Sequence, residues 1–121
     1  MALVLVVDDE VGISTLLKDV LEDEGHLVLL ATNGRQALDK VKDGRPDLIV
    51  TDFMMPVMDG AALIRALAAE PRWKDIPVVV MSSMPEAAVA ERCSGYATFV
   101  RKPFRIFDLL DDLKALLDRA T

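Results

Sequence analysis

Short apolar runs that end in acid constrain this chain more than any other feature. Leu48, Ile49 and Val50 form one such run, and it closes at Asp52. Leu3–Val7 forms another, closed by Asp8, Asp9 and Glu10. Runs this short, apolar on both faces, read as buried strands of a parallel sheet. Helical patterns separate them. Ile13, Leu16, Leu17, Val20 and Leu21 fall on one face of a helix, and Gly25 is placed to end it. Residues 26–30 read as a strand. Asn33 can cap a helix that turns Ala37, Leu38 and Val41 inward, with Gly44 closing it. Residues 62–69 read as a helix facing Leu63, Ile64 and Leu67 inward, and Pro71 limits its extent. Residues 77–81 are a strand. Ser83 and Glu86 have capping-box spacing for a short helix reaching about Arg92. Residues 97–100 form a last strand. Residues 106–120 form a helix with Ile106, Leu109, Leu110, Leu113 and Leu117 on its apolar side.

This alternation implies an α/β fold, a five-stranded parallel sheet with helices on both faces. Right-handed crossovers leave few topologies, and the doubly wound order 2-1-3-4-5 fits, with its crevice between the first and third strands. At 121 residues the chain has the length of a single domain, 1–121. A formal net charge of −6 argues against a nucleic-acid backbone as the direct partner. No apolar run approaches a membrane span, so no membrane insertion is expected. MALVLVVDDE lacks the charged start and the length of a signal peptide. The one cysteine, Cys93, cannot form an internal disulfide and suits a reducing compartment.

In that order, Asp8 and Asp9 lie on one side of the crevice and Asp52 on the other. Alone, Asp52 reads equally well as a turn residue or a helix cap, and Asp8 or Asp9 as caps of the helix near Val11. Together they pose an electrostatic problem. Two carboxylates about 4 Å apart repel by ~4 kcal/mol at an effective dielectric near 20. Protons or a hard divalent cation relieve this, and Mg²⁺ accepts carboxylate, carbonyl and water oxygens. Ser82 and Lys102 end the next two strands at the same edge. A hydroxyl and an ammonium there suit an anionic oxygen. Carboxylate, Mg²⁺ and lysine together are equipment for accepting a phosphoryl group.

Four motifs then carry a resemblance over essentially the whole chain: VVDDE at 6–10, TDFMMPVMDG at 51–60, VVVMSS at 78–83 and FVRKPF at 99–104. The chain resembles the receiver domains of two-component response regulators, which have the flavodoxin-like (βα)5 fold. The resemblance implies that Asp52 accepts a phosphoryl group from a sensor histidine kinase or histidine phosphotransfer protein. It assigns Asp8, Asp9, Asp52 and the backbone carbonyl of Met54 to Mg²⁺ (with Mn²⁺ as the alternative ion), with Asp9 more direct than Asp8. Ser82 takes the hydroxyl switch position, Phe99 the aromatic switch position, and Lys102 the position that contacts the phosphoryl group. The Lys102–Pro103 peptide is expected to be cis.

The implied protein is a cytoplasmic signalling switch, a phospho-acceptor that assists its own phosphorylation and dephosphorylation rather than an enzyme. Its downstream protein docks on the face of the fourth helix, fifth strand and fifth helix, and it is a monomer or a weak phosphorylation-dependent dimer. Three departures stand out. Ser83 replaces a small apolar residue, Phe99 has no hydroxyl, and Cys93-Ser94-Gly95-Tyr96 alters a shortened fourth-helix region. An aspartate-nucleophile phosphatase is the rival reading, but Asp8-Asp9-Glu10 lacks its D-x-D pattern. A non-phosphorylated interaction module of the same fold is a second rival. Met54 and Met84 are expected to flank the path of water to phosphorus and to slow self-dephosphorylation. His26 reads as solvated, Cys93 as a packed or partly exposed thiol and Trp73 as a loop or packing residue.

Overall fold

All five expected strands form in a computed structural model, which describes residues 1–119. They are β1 (Leu3–Val7), β2 (Leu27–Ala31), β3 (Leu48–Asp52), β4 (Val78–Ser82) and β5 (Thr98–Arg101). They pair in parallel in the order β2-β1-β3-β4-β5. The helices are α1 (Val11–Asp23), α2 (Gly34–Asp43), α3 (Gly60–Ala68), α4 (Glu86–Ala90) and α5 (Ile106–Arg119). The final position of the helix expected over 106–120 lies outside the described residues.

Alternation along each strand builds two cores, because successive side chains point to opposite faces of the sheet. Val4, Val6, Leu48, Val50, Val79, Met81 and Val100 pack with Leu17 and Leu21 of α1 and Leu109 and Leu113 of α5. Leu5, Val7, Ile49, Phe53, Val78 and Val80 pack with Ala37 and Val41 of α2, Leu63 and Leu67 of α3, and Val89 of α4. Phe53, Leu5 and Leu63 are fully buried. Each such side chain contributes ~1.5–3 kcal/mol relative to exposure.

The helix ends depart from expectation in instructive ways. Leu16 is exposed although the helical spacing turned it inward; Ser14, Leu17 and Leu21 are the buried positions of α1. Residue 26 was expected in β2, yet the strand begins at Leu27. The Nδ1 atom of His26 accepts the Ala2 N–H at 3.1 Å, so this ring is a tie to the N-terminal segment rather than a solvated group. Asn33 does cap α2, accepting the Gln36 N–H at 2.9 Å. Helix α3 starts two residues earlier than read, because Asp59 accepts the Ala62 N–H at 2.8 Å. The capping box at Ser83 and Glu86 does not form. Pro85 occupies the cap position of α4 with no side-chain bond. The hydroxyl of Ser82, not Ser83, takes the Met84 N–H of that turn at 3.0 Å. Helix α4 ends at Ala90, short of Arg92.

The β3–α3 loop is drawn tight against its surroundings. The Gly60 N–H bonds the Phe53 carbonyl at 2.9 Å, and the Gly34 N–H at the start of α2 bonds the Met58 carbonyl at 2.9 Å. A Cβ on Gly60 would lie 2.7 Å from the Asp52 carbonyl oxygen, so only glycine fits there. Val57 has φ +69°, an unfavourable conformation for a β-branched residue, and the residue is 84% exposed. The Lys102–Pro103 peptide is cis, as expected.

Candidate functional site

The face alternation that makes the cores also delivers charge to one point. Asp8 continues the face of Val4 and Val6, Asp52 that of Leu48 and Val50, and Lys102 that of Val100. Val7 pairs with Thr51, so Asp8 and Asp52 leave β1 and β3 side by side. Ser82 pairs with Arg101, and the Lys102 N–H bonds the Ser82 carbonyl at 2.8 Å. Ser82 shares its alternation with Val78 and Val80, so its hydroxyl reaches the sheet edge from the other helical layer.

Lys102 sits at the centre of the cluster. Its ammonium lies 3.2 Å from Asp8 Oδ2, 3.3 Å from Glu10 Oε1 and 3.4 Å from Asp52 Oδ1. Asp8 and Asp52 are buried, whereas the Glu10 side chain is 61% exposed. Asp52 Oδ1 also accepts the Phe53 N–H at 3.0 Å. Asp8 Oδ1 accepts the Glu10 N–H at 2.8 Å, and no side chain caps α1. Burial of Ser82 leaves its oxygen as acceptor of one bond, and a hydroxyl so engaged keeps its proton to donate.

Burial, then repulsion from Asp8, raises the Asp52 pKa from 3.8 to about 6, against the pull of Lys102 and the Phe53 N–H. Burial works against the Lys102 ammonium, yet Asp52, Asp8 and Glu10 outweigh it and hold its pKa above 10.5. One cation thus faces several carboxylates, a site short of positive charge. Oxygens of Asp8, Glu10 and Asp52 lie within 4.8 Å of one another, a spacing and donor type that suit a hard divalent cation.

Around this cluster an open cleft is lined by Asp9, Glu10, Asp52, Met54, Ser82 and Lys102, with Leu16 and Phe104 at its apolar rim. The expected residues Asp8, Asp52, Ser82 and Lys102 therefore converge. Asp9 is exposed on the cleft wall and outside the converging trio. Met54 is 57% exposed at the mouth. Met84, expected beside it, is instead half-buried against the core under α2, α3 and α4. Phe99 lies away from the cleft, half-buried on that same core, its ring centroid 6.3 Å from that of Tyr96. Tyr96 donates its hydroxyl to Glu86 Oε2 at 2.9 Å. Glu10 is the residue that sequence reasoning missed; the signal was its place in the run of three acids after β1.

Comparison with known proteins agrees with this geometry. The family model described as the response regulator receiver domain matches residues 4–114. Response regulator MprA of Mycolicibacterium vanbaalenii is 37% identical, with 98% of this chain aligned to 51% of that protein. The chain thus spans about half the length of that relative. Sporulation initiation phosphotransferase F of Bacillus subtilis is 35% identical, covering 94% of this chain and 92% of that protein. Among solved structures, the signal receiver domain of a signal transduction histidine kinase from Syntrophus aciditrophicus superposes with a TM-score of 0.90 at 32% identity. That match covers 98% of this chain and 91% of the other. A cleft of buried carboxylates around a lysine, on a sheet of this order, matched by the family over nearly its whole length, makes this chain a member of the response regulator receiver domain family.

Proposed function

We propose that Asp52 is the residue through which this receiver domain, a phosphorylation-activated switch of a two-component system, is turned on. The observation that carries the reading is the 3.4 Å approach of the Lys102 ammonium to the Asp52 carboxylate beside buried Asp8. A nucleophilic Asp52 oxygen attacks phosphorus, and the bond from phosphorus to the donor nitrogen or oxygen breaks with its electron pair going to the donor. Charge on the equatorial oxygens then meets the Lys102 ammonium and the Ser82 hydroxyl. Asp8, Asp9, Asp52 and the Met54 carbonyl are the groups assigned to hold Mg²⁺. Bound there, the cation supplies neutralisation of the carboxylates and of the transferring phosphoryl oxygens.

The phosphoryl donor is a sensor histidine kinase or a histidine phosphotransfer protein. The chain is a single receiver domain over 1–121, a phospho-acceptor rather than a turnover enzyme. Ser82 and Phe99 carry the switch: the hydroxyl is drawn toward the phosphoryl group and the Phe99 ring packs inward, altering the α4–β5–α5 face that a downstream protein reads. The switch works as a monomer or a weak phosphorylation-dependent dimer. A cytoplasmic location accords with the lone cysteine, and no helix among the described residues is long and apolar enough to cross a membrane.

The test is labelling by acetyl phosphate with Mg²⁺, for the parent chain and for Asp52→Asn. Loss of label in the variant is expected. Equal labelling overturns the assignment, and sustained hydrolysis of a phosphate ester by the parent chain would favour the phosphatase reading instead.

A further inference from the structure

We propose that Glu10 is a positioning residue for phosphotransfer, one that holds the Lys102 ammonium at the α1 side of the cleft and competes for it with the incoming phosphoryl group. The inference rests on Asp52 being the acceptor. Glu10 occupies the cap position of α1, yet its side chain caps nothing. Instead it reaches Lys102, 92 residues away in sequence. An ammonium has three hydrogens, and three carboxylates surround this one at 3.2, 3.3 and 3.4 Å. Two of its hydrogens bond Asp8 and Glu10, and a phosphoryl oxygen that draws the ammonium toward itself pulls against both bonds.

The three are not equally displaceable. The Asp8 side chain is fully buried, so a bound cation rather than bulk water would have to take the place of the ammonium there. Asp52 becomes bonded to phosphorus and stays beside the group it has received. Glu10 is the exposed member, and water solvates it once released. Its contact therefore yields, and the energy of that contact is subtracted from transition-state stabilisation. An ion pair with one exposed partner is worth ~0.2–1 kcal/mol, too little to matter for folding but enough to change a rate about 1.4- to fivefold. The step itself is balanced without a proton. An Asp52 oxygen bonds to phosphorus, the phosphorus–oxygen bond of acetyl phosphate breaks, and acetate leaves with the pair.

The experiment compares the parent chain with Glu10→Gln and Glu10→Asp. Labelling rates are measured against acetyl phosphate concentration, at Mg²⁺ shown to be saturating for each protein. Glutamine removes the charge and keeps the shape. Aspartate keeps the charge but is one methylene shorter, which draws it back from Lys102 and loosens the contact. We expect both variants to label about 1.4- to fivefold faster at saturating donor, with the half-saturating concentration changed less, and to lose label more slowly. A faster Gln variant beside an unchanged Asp variant would mean plain repulsion of the donor and overturn positioning. So would unchanged or slower labelling of both. Asp52→Asn run alongside separates the two claims: if it labels like the parent, the acceptor assignment fails whatever Glu10 does.

Discussion

An Asp52→Asn variant should be more stable than the parent chain at neutral pH, in the absence of divalent cation. Asp52 titrates near 6 in the fold against 3.8 ordinarily, chiefly because it is buried and next because Asp8 faces it. A carboxyl whose folded pKa lies above its unfolded value binds its proton more tightly when folded. Stability therefore falls as pH rises through the window from 3.8 to about 6, and the full penalty applies above it. Each pH unit of displacement corresponds to ~1.4 kcal/mol, an upper bound of ~3 kcal/mol here. The cleft is open to solvent on the Met54 side, and screening reduces this to ~1–2 kcal/mol. Asparagine is neutral at every pH and escapes the penalty. Urea unfolding in EDTA should show Asp52→Asn ahead by ~1–2 kcal/mol at pH 7, closing to near zero by about pH 4. In the melting temperature this is a rise on the order of 5 °C. Saturating Mg²⁺ should stabilise the parent and shrink the gap. A variant no more stable at pH 7, or a gap that ignores pH, would refute the electrostatic account.

Gly60→Ala should destabilise the fold by ~1–3 kcal/mol, because its Cβ meets the Asp52 carbonyl at 2.7 Å; labelling should slow with it, as calorimetry and acetyl phosphate assays can check. Val57→Gly should do the reverse and stabilise by ~1 kcal/mol, relieving the positive φ at an exposed position while leaving labelling unchanged. Met54→Asn should speed loss of label by placing a polar group at the cleft mouth, whereas Met84→Glu should not speed it, since Met84 packs on the core; decay after donor removal tests both.

The sheet was legible because residues 4–7, 48–50 and 78–81 are apolar and buried on both faces, and strands of a parallel sheet carry such near-continuous apolar runs. Strand ends were less so. Apolarity does not mark where a ladder begins, and residue 26 looked like the start of β2 when it was a side-chain tie to Ala2. The α4 region misled for a related reason. Ser83 and Glu86 have the right spacing, but Pro85 between them presets the first turn and Ser82 takes the free N–H. At the site, Asp8, Asp52, Ser82 and Lys102 were readable as strand ends on one edge. Glu10 was not, because it lies past the end of β1 at the cap position of α1, where strand alternation no longer says which way a side chain turns. Met84 was misjudged for the same reason: spacing from Ser82 cannot tell which way a turn directs the side chain.

The ion cluster also bears on how the chain is made. Lys102 follows Asp8 by 94 positions and is, among the described residues, the cation that holds the Asp8 and Asp52 carboxylates together. A ribosome adding about 5–20 residues per second exposes Asp52 several seconds before it reaches Lys102. Through that interval, closing the carboxyl ends of β1 and β3 brings two negative charges together with no ammonium between them. Pairing of the two central strands is thus opposed at one end until the outermost strand, β5, carries its lysine into position. The nascent chain is expected to hold its sheet open at the functional edge and to close it as one late event, with the acceptor assembled last.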